Sequence, residues 1–220
     1  MTQLALPFAW PPGPSDNDFL LSDSNRAAAA MLRDWQNWPG RVALLTGPRK
    51  SGRSLLARLF AATSGGQVID DAEQHSETAL FHAWNAAQAC ATPLLLVAQE
   101  APPAWRIALP DLRTRLAATP VARIEAPDEA LTTALLERGF LRRGLDARPD
   151  LVQWLAARLE RSHLALIRAI DSLDAAALSG HRRLSIPLAR ATLAAAGLIP
   201  GALPGTGEED GSPDAARDGR

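Results

Sequence analysis

Val42-Ala-Leu-Leu-Thr-Gly47-Pro48-Arg49-Lys50-Ser51-Gly52-Arg53-Ser54 is the stretch on which the fold turns. An uncharged, strand-like run enters a turn bounded by two glycines, and an apolar-periodic helical stretch leaves it. In that context the pattern G-x-x-x-x-G-K-[ST] is a phosphate cradle rather than a chance string. Gly47 and Gly52 let the backbone wrap so that N–H groups converge on phosphate oxygens, and a helix starting at Gly52 adds its positive dipole end. Ser54 falls where a hydroxyl reaches Mg²⁺. Arg53 stands where the pattern has lysine, a planar fork in place of a compact point charge. The expectation is therefore nucleotide binding with weak hydrolysis, with contacts drawn from Gly47 through Ser54. Lys50 is expected to face solvent, within reach of a phosphate. A strand-to-helix turn that uses its glycines without holding a nucleotide is the alternative reading of these residues.

Outward from the turn, Gln67–Asp70, Pro93–Ala98 and Val121–Ile124 join Val42–Thr46 as strand candidates. Helices are expected between and around them over Asn25–Gln36, Gly52–Thr63, Glu77–Ala91 and Ala108–Ala118. Such alternation implies a parallel sheet flanked by helices, the α/β class. The helix after the glycine turn leads at once to the next strand, too short a path for a further strand and crossover, so the sheet is expected to hold about four strands. Beyond Ala126 only helical patterns follow, Asp128–Arg142, Pro149–Leu159, Ser162–Leu178 and Pro187–Ala196. The resulting division is a peptide and linker over 1–18, a nucleotide-binding domain over 19–126, a helical lid over 127–199 and a tail over 200–220. The tail has too few large apolar residues to offset the entropy of ordering.

Val68-Ile69-Asp70-Asp71 places two carboxylates at the carboxyl end of a strand, the edge where open α/β sheets bind ligands. Asp70 suits holding a hydrated Mg²⁺, and Asp71 suits polarising an attacking water. A helix N-cap is the alternative use of this pair.

The 220 residues are 47% hydrophobic, enough for a sizeable core, and their net charge of -1 supplies no basic field for gripping nucleic acid directly. The single cysteine, Cys90, excludes an internal disulfide and is expected to be a small buried helix residue in a reducing cytosol. No apolar run approaches a membrane span, and the first residues lack a secretory pattern. The four histidines lack partners at metal-ligand spacing, and the dispersed tryptophans form no stacking platform. Trp84 and Trp105 are expected to pack near the core. Lys50 is the only lysine, which marks a chain-wide preference for arginine.

Several segments together resemble the AAA+ domain of the DnaA family. They are Phe19-Leu-Leu-Ser-Asp-Ser-Asn25, Val68-Ile-Asp-Asp71, Leu80-Phe-His-Ala-Trp-Asn85, Pro102-Pro-Ala-Trp105, Leu109-Pro-Asp-Leu-Arg-Thr-Arg-Leu116 and Leu184-Ser-Ile-Pro187. The resemblance runs over about Phe19 to Leu198 and is closest to the shortened Hda branch, because a DnaA continues into a helix-turn-helix domain where this chain has its tail. Gln3-Leu4-Ala-Leu6-Pro7-Phe8 looks like the peptide by which bacterial proteins dock on the DNA sliding clamp, the polymerase beta subunit. That role needs an extended segment with a Gln amide for hydrogen bonds and Leu6, Pro7 and Phe8 for an apolar pocket. An apolar terminus folded back on the body is the alternative.

The resemblance implies an arginine finger at Arg115, in Leu112-Arg113-Thr114-Arg115-Leu116, with Arg113 as a near neighbour of like charge. It also implies a nucleotide-sensing lid arginine. The aligned position holds Leu164, with Arg168 one helical turn later and Arg161 about one turn earlier, and Arg168 is taken as the candidate. The implied function is negative regulation of chromosomal replication initiation: clamp-tethered stimulation of hydrolysis of DnaA-bound ATP, with ADP or ATP and Mg²⁺ as ligands. DnaA and the clamp are the implied partners, DNA is met only through the clamp, no membrane is involved, and self-assembly is left open. A DnaC-like helicase-loader ATPase and a nucleotide-free interaction module with a relic phosphate loop are the two rivals.

Overall fold

A computed structural model describes residues 19–180 and 183–200 of the chain. Four parallel strands, β1 (Val42–Thr46), β2 (Gln67–Ile69), β3 (Leu94–Val97) and β4 (Val121–Arg123), form one sheet in the order β2-β3-β1-β4. The central strands β1 and β3 are buried along their whole length, while the edge strands are partly exposed. This is the pattern of a parallel sheet covered on both faces. Ile69, Leu96, Leu44 and Val121 lie on one row, so the carboxyl ends of all four strands open onto the same edge.

Successive side chains of a strand point to opposite faces. Ala43, Leu45, Leu95 and Val97 accordingly face α1 (Asp23–Arg33) and α2 (Arg53–Ser64), in a core with Leu32, Leu56 and Phe60. Val42, Leu44, Leu94 and Leu96 face the other way, toward α3 (Glu77–Cys90) and α4 (Pro110–Ala117), with Leu80, Trp84, Leu112 and Leu116. Trp105 packs against this second cluster. The expected strands and helices are all present, with ends shifted by a few residues. Helix α1 starts at Asp23 because Ser22 caps it, with Asn25 completing the capping box. Cys90 departs from expectation: it is exposed, as the last residue of α3, off the face that buries Leu80, Trp84 and Ala87.

Helix α4 has Pro110 in its first turn and no side-chain cap of its own. Glu77, at the start of α3, supplies the missing acceptor: its carboxylate oxygens accept the N–H groups of Ala108 at 2.8 Å and Leu109 at 2.5 Å. These bonds, from Ala108 first and Leu109 second, hold the Glu77 carboxyl below its ordinary pKa.

The remaining helices, α5 (Glu129–Arg142), α6 (Pro149–Ala156), α7 (His163–Gly180) and α8 (Ile186–Ala195), bury a core of their own that includes Leu136, Phe140, Leu155, Ile170, Leu173 and Leu193. Gly139 lies inside α5 against α7, where a Cβ would stand 2.4 Å from Cδ1 of Ile170 and the isoleucine would have to shift. Among the described residues no helix is long and apolar enough to cross a membrane.

One carboxylate joins the two parts. Asp128 caps α5 by accepting the Leu131 N–H at 2.7 Å and also accepts the N–H of Ser24 at 3.2 Å, in the first turn of α1. Beside it, the Glu125 N–H donates to the carbonyl of Ser24 at 2.9 Å. Partial desolvation pushes the Asp128 carboxyl upward. The bonds from Leu131, Ser22, Ser24 and Asp23 outweigh it, and the group sits below its ordinary pKa.

Candidate functional site

Strand β1 ends at Thr46, and Gly47 follows with φ +153°. A Cβ at this position would lie 2.7 Å from the carbonyl oxygen of Ile124, so the turn passes against the end of β4 at a distance only glycine permits. The chain is then folded over by the Ser51 N–H bonding the Pro48 carbonyl at 3.2 Å, with Lys50 at φ +65° and Gly52 at φ +89° as the N-cap of α2. Pro48, Arg49, Lys50 and Ser54 are exposed, whereas Gly47 and Ser51 are buried. The ring of Phe19 lies against Gly52, 3.2 Å from where its Cβ would be.

Three polar side-chain atoms at this turn are enclosed without a hydrogen-bond partner among the described residues: Oγ1 of Thr46, Oγ of Ser51 and Nη1 of Arg53. Buried polar atoms are nearly always paired, and leaving one unpaired costs about 1–3 kcal/mol. Ser51 Oγ stands 3.3 Å from the Cβ position of Gly47, inside the turn itself. Two hydroxyls and a guanidinium beside a glycine-lined turn at a helix start fit an anion with several acceptor oxygens, such as a nucleotide phosphate.

Asp70 and Asp71 follow β2 and are both exposed. Because β3 lies between β2 and β1, Asp70 stands two strand spacings, about 10 Å, from β1. Asp71 takes the N-cap position of a short 3₁₀ turn, Ala72–Gln74, at φ +46°, but its side chain makes no capping bond there. Its N–H donates to Oδ1 of Asp70 at 3.0 Å. The two turns are joined across β3 by Gln99, whose N–H donates to Glu73 Oε1 at 2.9 Å and whose carbonyl accepts the Gly47 N–H at 3.4 Å. Gln99 and Glu73 were not legible as part of the site, since only the strand order brings them between the turns.

Arg115, on α4, is half-buried. Its Nη1 donates to Asn85 Oδ1 at 2.6 Å, and its guanidinium carbon lies 4.7 Å from the centroid of the Phe81 ring. Arg113 is exposed and makes no hydrogen bond or ion pair among the described residues. Arg168 is exposed on α7, also without such a partner, and Leu164 is half-buried. Arg161 pairs with Glu129 at 3.5 Å. Gln3, Leu4, Leu6, Pro7 and Phe8 lie outside the described residues, as does the tail from residue 201 onward.

Residues 128–193, the helical part, match the family described as Hda, lid domain. This helical part of the chain is similar to the lid of Hda. Domain III of the replication initiation protein DnaA from Thermotoga maritima has the same fold, with a TM-score of 0.70 at 15% identity over 86% of this chain and 99% of that domain. A replication initiator DnaA bound to AMPPCP and single-stranded DNA gives 0.59 at 14% identity, over 74% of this chain and 65% of that one. These likenesses establish a DnaA-type AAA+ fold. An uncharacterized protein of Haemophilus influenzae is 30% identical over 118 residues, which are 53% of this chain and 51% of that protein. The chain thus spans about half the length of this curated relative.

Proposed function

We propose that this Hda-like chain is a negative regulator of chromosomal replication initiation that stimulates hydrolysis of ATP bound to DnaA. Arg115 carries the reading. It is a partly exposed guanidinium whose partners among the described residues, Phe81 and Asn85, are neutral, so its charge is not cancelled by a carboxylate. An arginine brought to a γ-phosphoryl group stabilises the charge that develops there, an effect of about 10³- to 10⁵-fold on rate.

The chain's own ligand is ADP or ATP with Mg²⁺. Gly47 through Ser54 form its phosphate cradle, Ser51 and Arg53 supply enclosed donors, and Ser54 and Asp70 reach the hydrated metal. A bound nucleotide supplies the anionic oxygens that these donors lack. With Arg53 in place of lysine, the nucleotide fixes the geometry of turn and lid more than it is turned over. Asp71 polarises a water in what intrinsic hydrolysis occurs, and Arg168 is the lid arginine assigned to sensing. Gln3, Leu4, Leu6, Pro7 and Phe8 tether the protein to the sliding clamp on DNA in the cytoplasm. Tethering raises its effective concentration near DnaA without a direct grip on the duplex.

The test is hydrolysis of DnaA-bound ATP in the presence of clamp loaded on DNA. The natural chain, Arg115→Ala and a variant carrying Gln3→Ala with Phe8→Ala are compared. Stimulation is expected to vanish with the first substitution and to lose its clamp dependence with the second. Should both variants stimulate as the natural chain does, the assignment is wrong.

A further inference from the structure

We infer that Phe81 and Asn85 are positioning residues for Arg115: together they hold its guanidinium, still carrying its full charge, at the edge of the α3–α4 pair. The inference rests on the proposed role of Arg115 and adds the device that presents it.

Glu77, Phe81 and Asn85 stand four residues apart on α3, and so form a single row along one face of that helix. All three members hold α4. Glu77 accepts the two N–H groups that lead into the helix, Ala108 and Leu109. Phe81 and Asn85 take the guanidinium of Arg115 near the other end, the ring by a cation–π contact and the amide oxygen by a hydrogen bond. The row's only carboxylate is thus engaged with backbone amides, and the neutral members meet the cation.

A second observation points the same way. Asp111 lies one turn before Arg115 on α4, a spacing at which acid and base commonly pair on a helix surface. No ion pair forms between them among the described residues, and Arg115 turns across to α3 instead. An aromatic face and an amide oxygen fix the direction of a planar fork while leaving its other N–H groups free to donate. A carboxylate in their place would hold the fork as firmly and cancel the charge that has to be delivered. Pre-organisation of this kind lowers the entropy lost when the side chain enters a phosphate pocket.

The experiment measures hydrolysis of DnaA-bound ATP at increasing concentrations of the full chain, comparing the natural protein with Arg115→Ala, Asn85→Ala, Asn85→Asp and Phe81→Leu. Asn85→Ala and Phe81→Leu are each expected to lower the rate at saturation about tenfold, the size of one lost bond to a charged group, while the half-saturating concentration stays unchanged. Asn85→Asp is expected to lower it further, because it supplies the cancelling charge. Millimolar guanidinium is expected to restore part of the activity of Arg115→Ala and none when Phe81→Leu and Asn85→Ala are added, a difference that a merely structural role for the row would not produce. Asn85 is exposed, so its variants carry the test even if Phe81→Leu is less stable. If Arg115→Ala stimulates normally, both this inference and the proposed function fall. If Arg115→Ala is inactive while Asn85→Ala and Phe81→Leu match or exceed the natural rate, the positioning role alone is overturned.

Discussion

At the turn between β1 and α2, polar atoms of Thr46, Ser51 and Arg53 are enclosed without partners, whereas along the seam between α3 and α4 Glu77, Asn85 and Arg115 are all engaged. Both places lie near the ends of sheet-packed helices, so packing alone does not separate them. The difference is what each is built to do with a charge. The turn carries donors that need acceptor oxygens brought from outside, and the seam supplies its cation with neutral contacts from within. Under the proposed function, one receives an anion and the other presents a cation.

The largest effect that tests this contrast is at the seam. Arg115→Ala should lower stimulated hydrolysis of DnaA-bound ATP by about 10³-fold or more. Single-turnover measurement separates that loss from weakened association.

Next is the backbone of the turn. Gly47→Ala sets a Cβ 2.7 Å from the Ile124 carbonyl oxygen at φ +153°. It should destabilise the fold by about 3 kcal/mol, read as an earlier urea midpoint with an unchanged slope. An unchanged midpoint would mean that the turn is free to move away from β4.

Asp128 extends the paired class to the junction of the two parts. Asp128→Ala removes acceptors from two helix starts and should cost about 2 kcal/mol, while Asp128→Asn retains most of the capping. Because its folded pKa is lowered, Asp128 contributes stability above its unfolded value, and that contribution is lost as pH falls through the folded one. The gap in urea midpoint between the natural chain and Asp128→Ala should therefore narrow below about pH 4.

The smallest effect is at Ser51. Ser51→Ala removes an enclosed hydroxyl without a partner among the described residues and should stabilise the nucleotide-free chain by about 1 kcal/mol, while weakening ADP several-fold in calorimetric titration. Equal ADP affinity in the two proteins would sink the idea that the turn receives phosphate through this group.

Much of the architecture was legible because local signals agreed with one another. Gly47 and Gly52 flank the turn at positions where the backbone adopts positive φ, and the uninterrupted apolar runs of β1 and β3 became the two central strands. Asp128 was readable as the start of a helix, but its bond to Ser24 spans 104 positions and has no trace in local pattern. Phe81 and Asn85 were visible at helical spacing within Leu80–Asn85. Their role was not, since it depends on which helix packs beside α3. Cys90 was misjudged for a related reason: an alanine-rich neighbourhood signals a helix without saying which of its faces meets the sheet. Asp70 stood at a strand end as its sequence position suggested, but its separation from β1 follows from strand order alone.

The segment leading into α1, with the first turn of that helix, touches two distant things at once. Phe19 leans on Gly52, and five residues later the backbone of Ser24 is bonded to the residue that opens α5. It ties the start of α2 to the start of α5 through a few residues of backbone. If the turn holds the proposed nucleotide and binding shifts the lid helices, the coupling is reciprocal: whatever energy one site transmits to the other is returned in equal measure when the order of events is reversed.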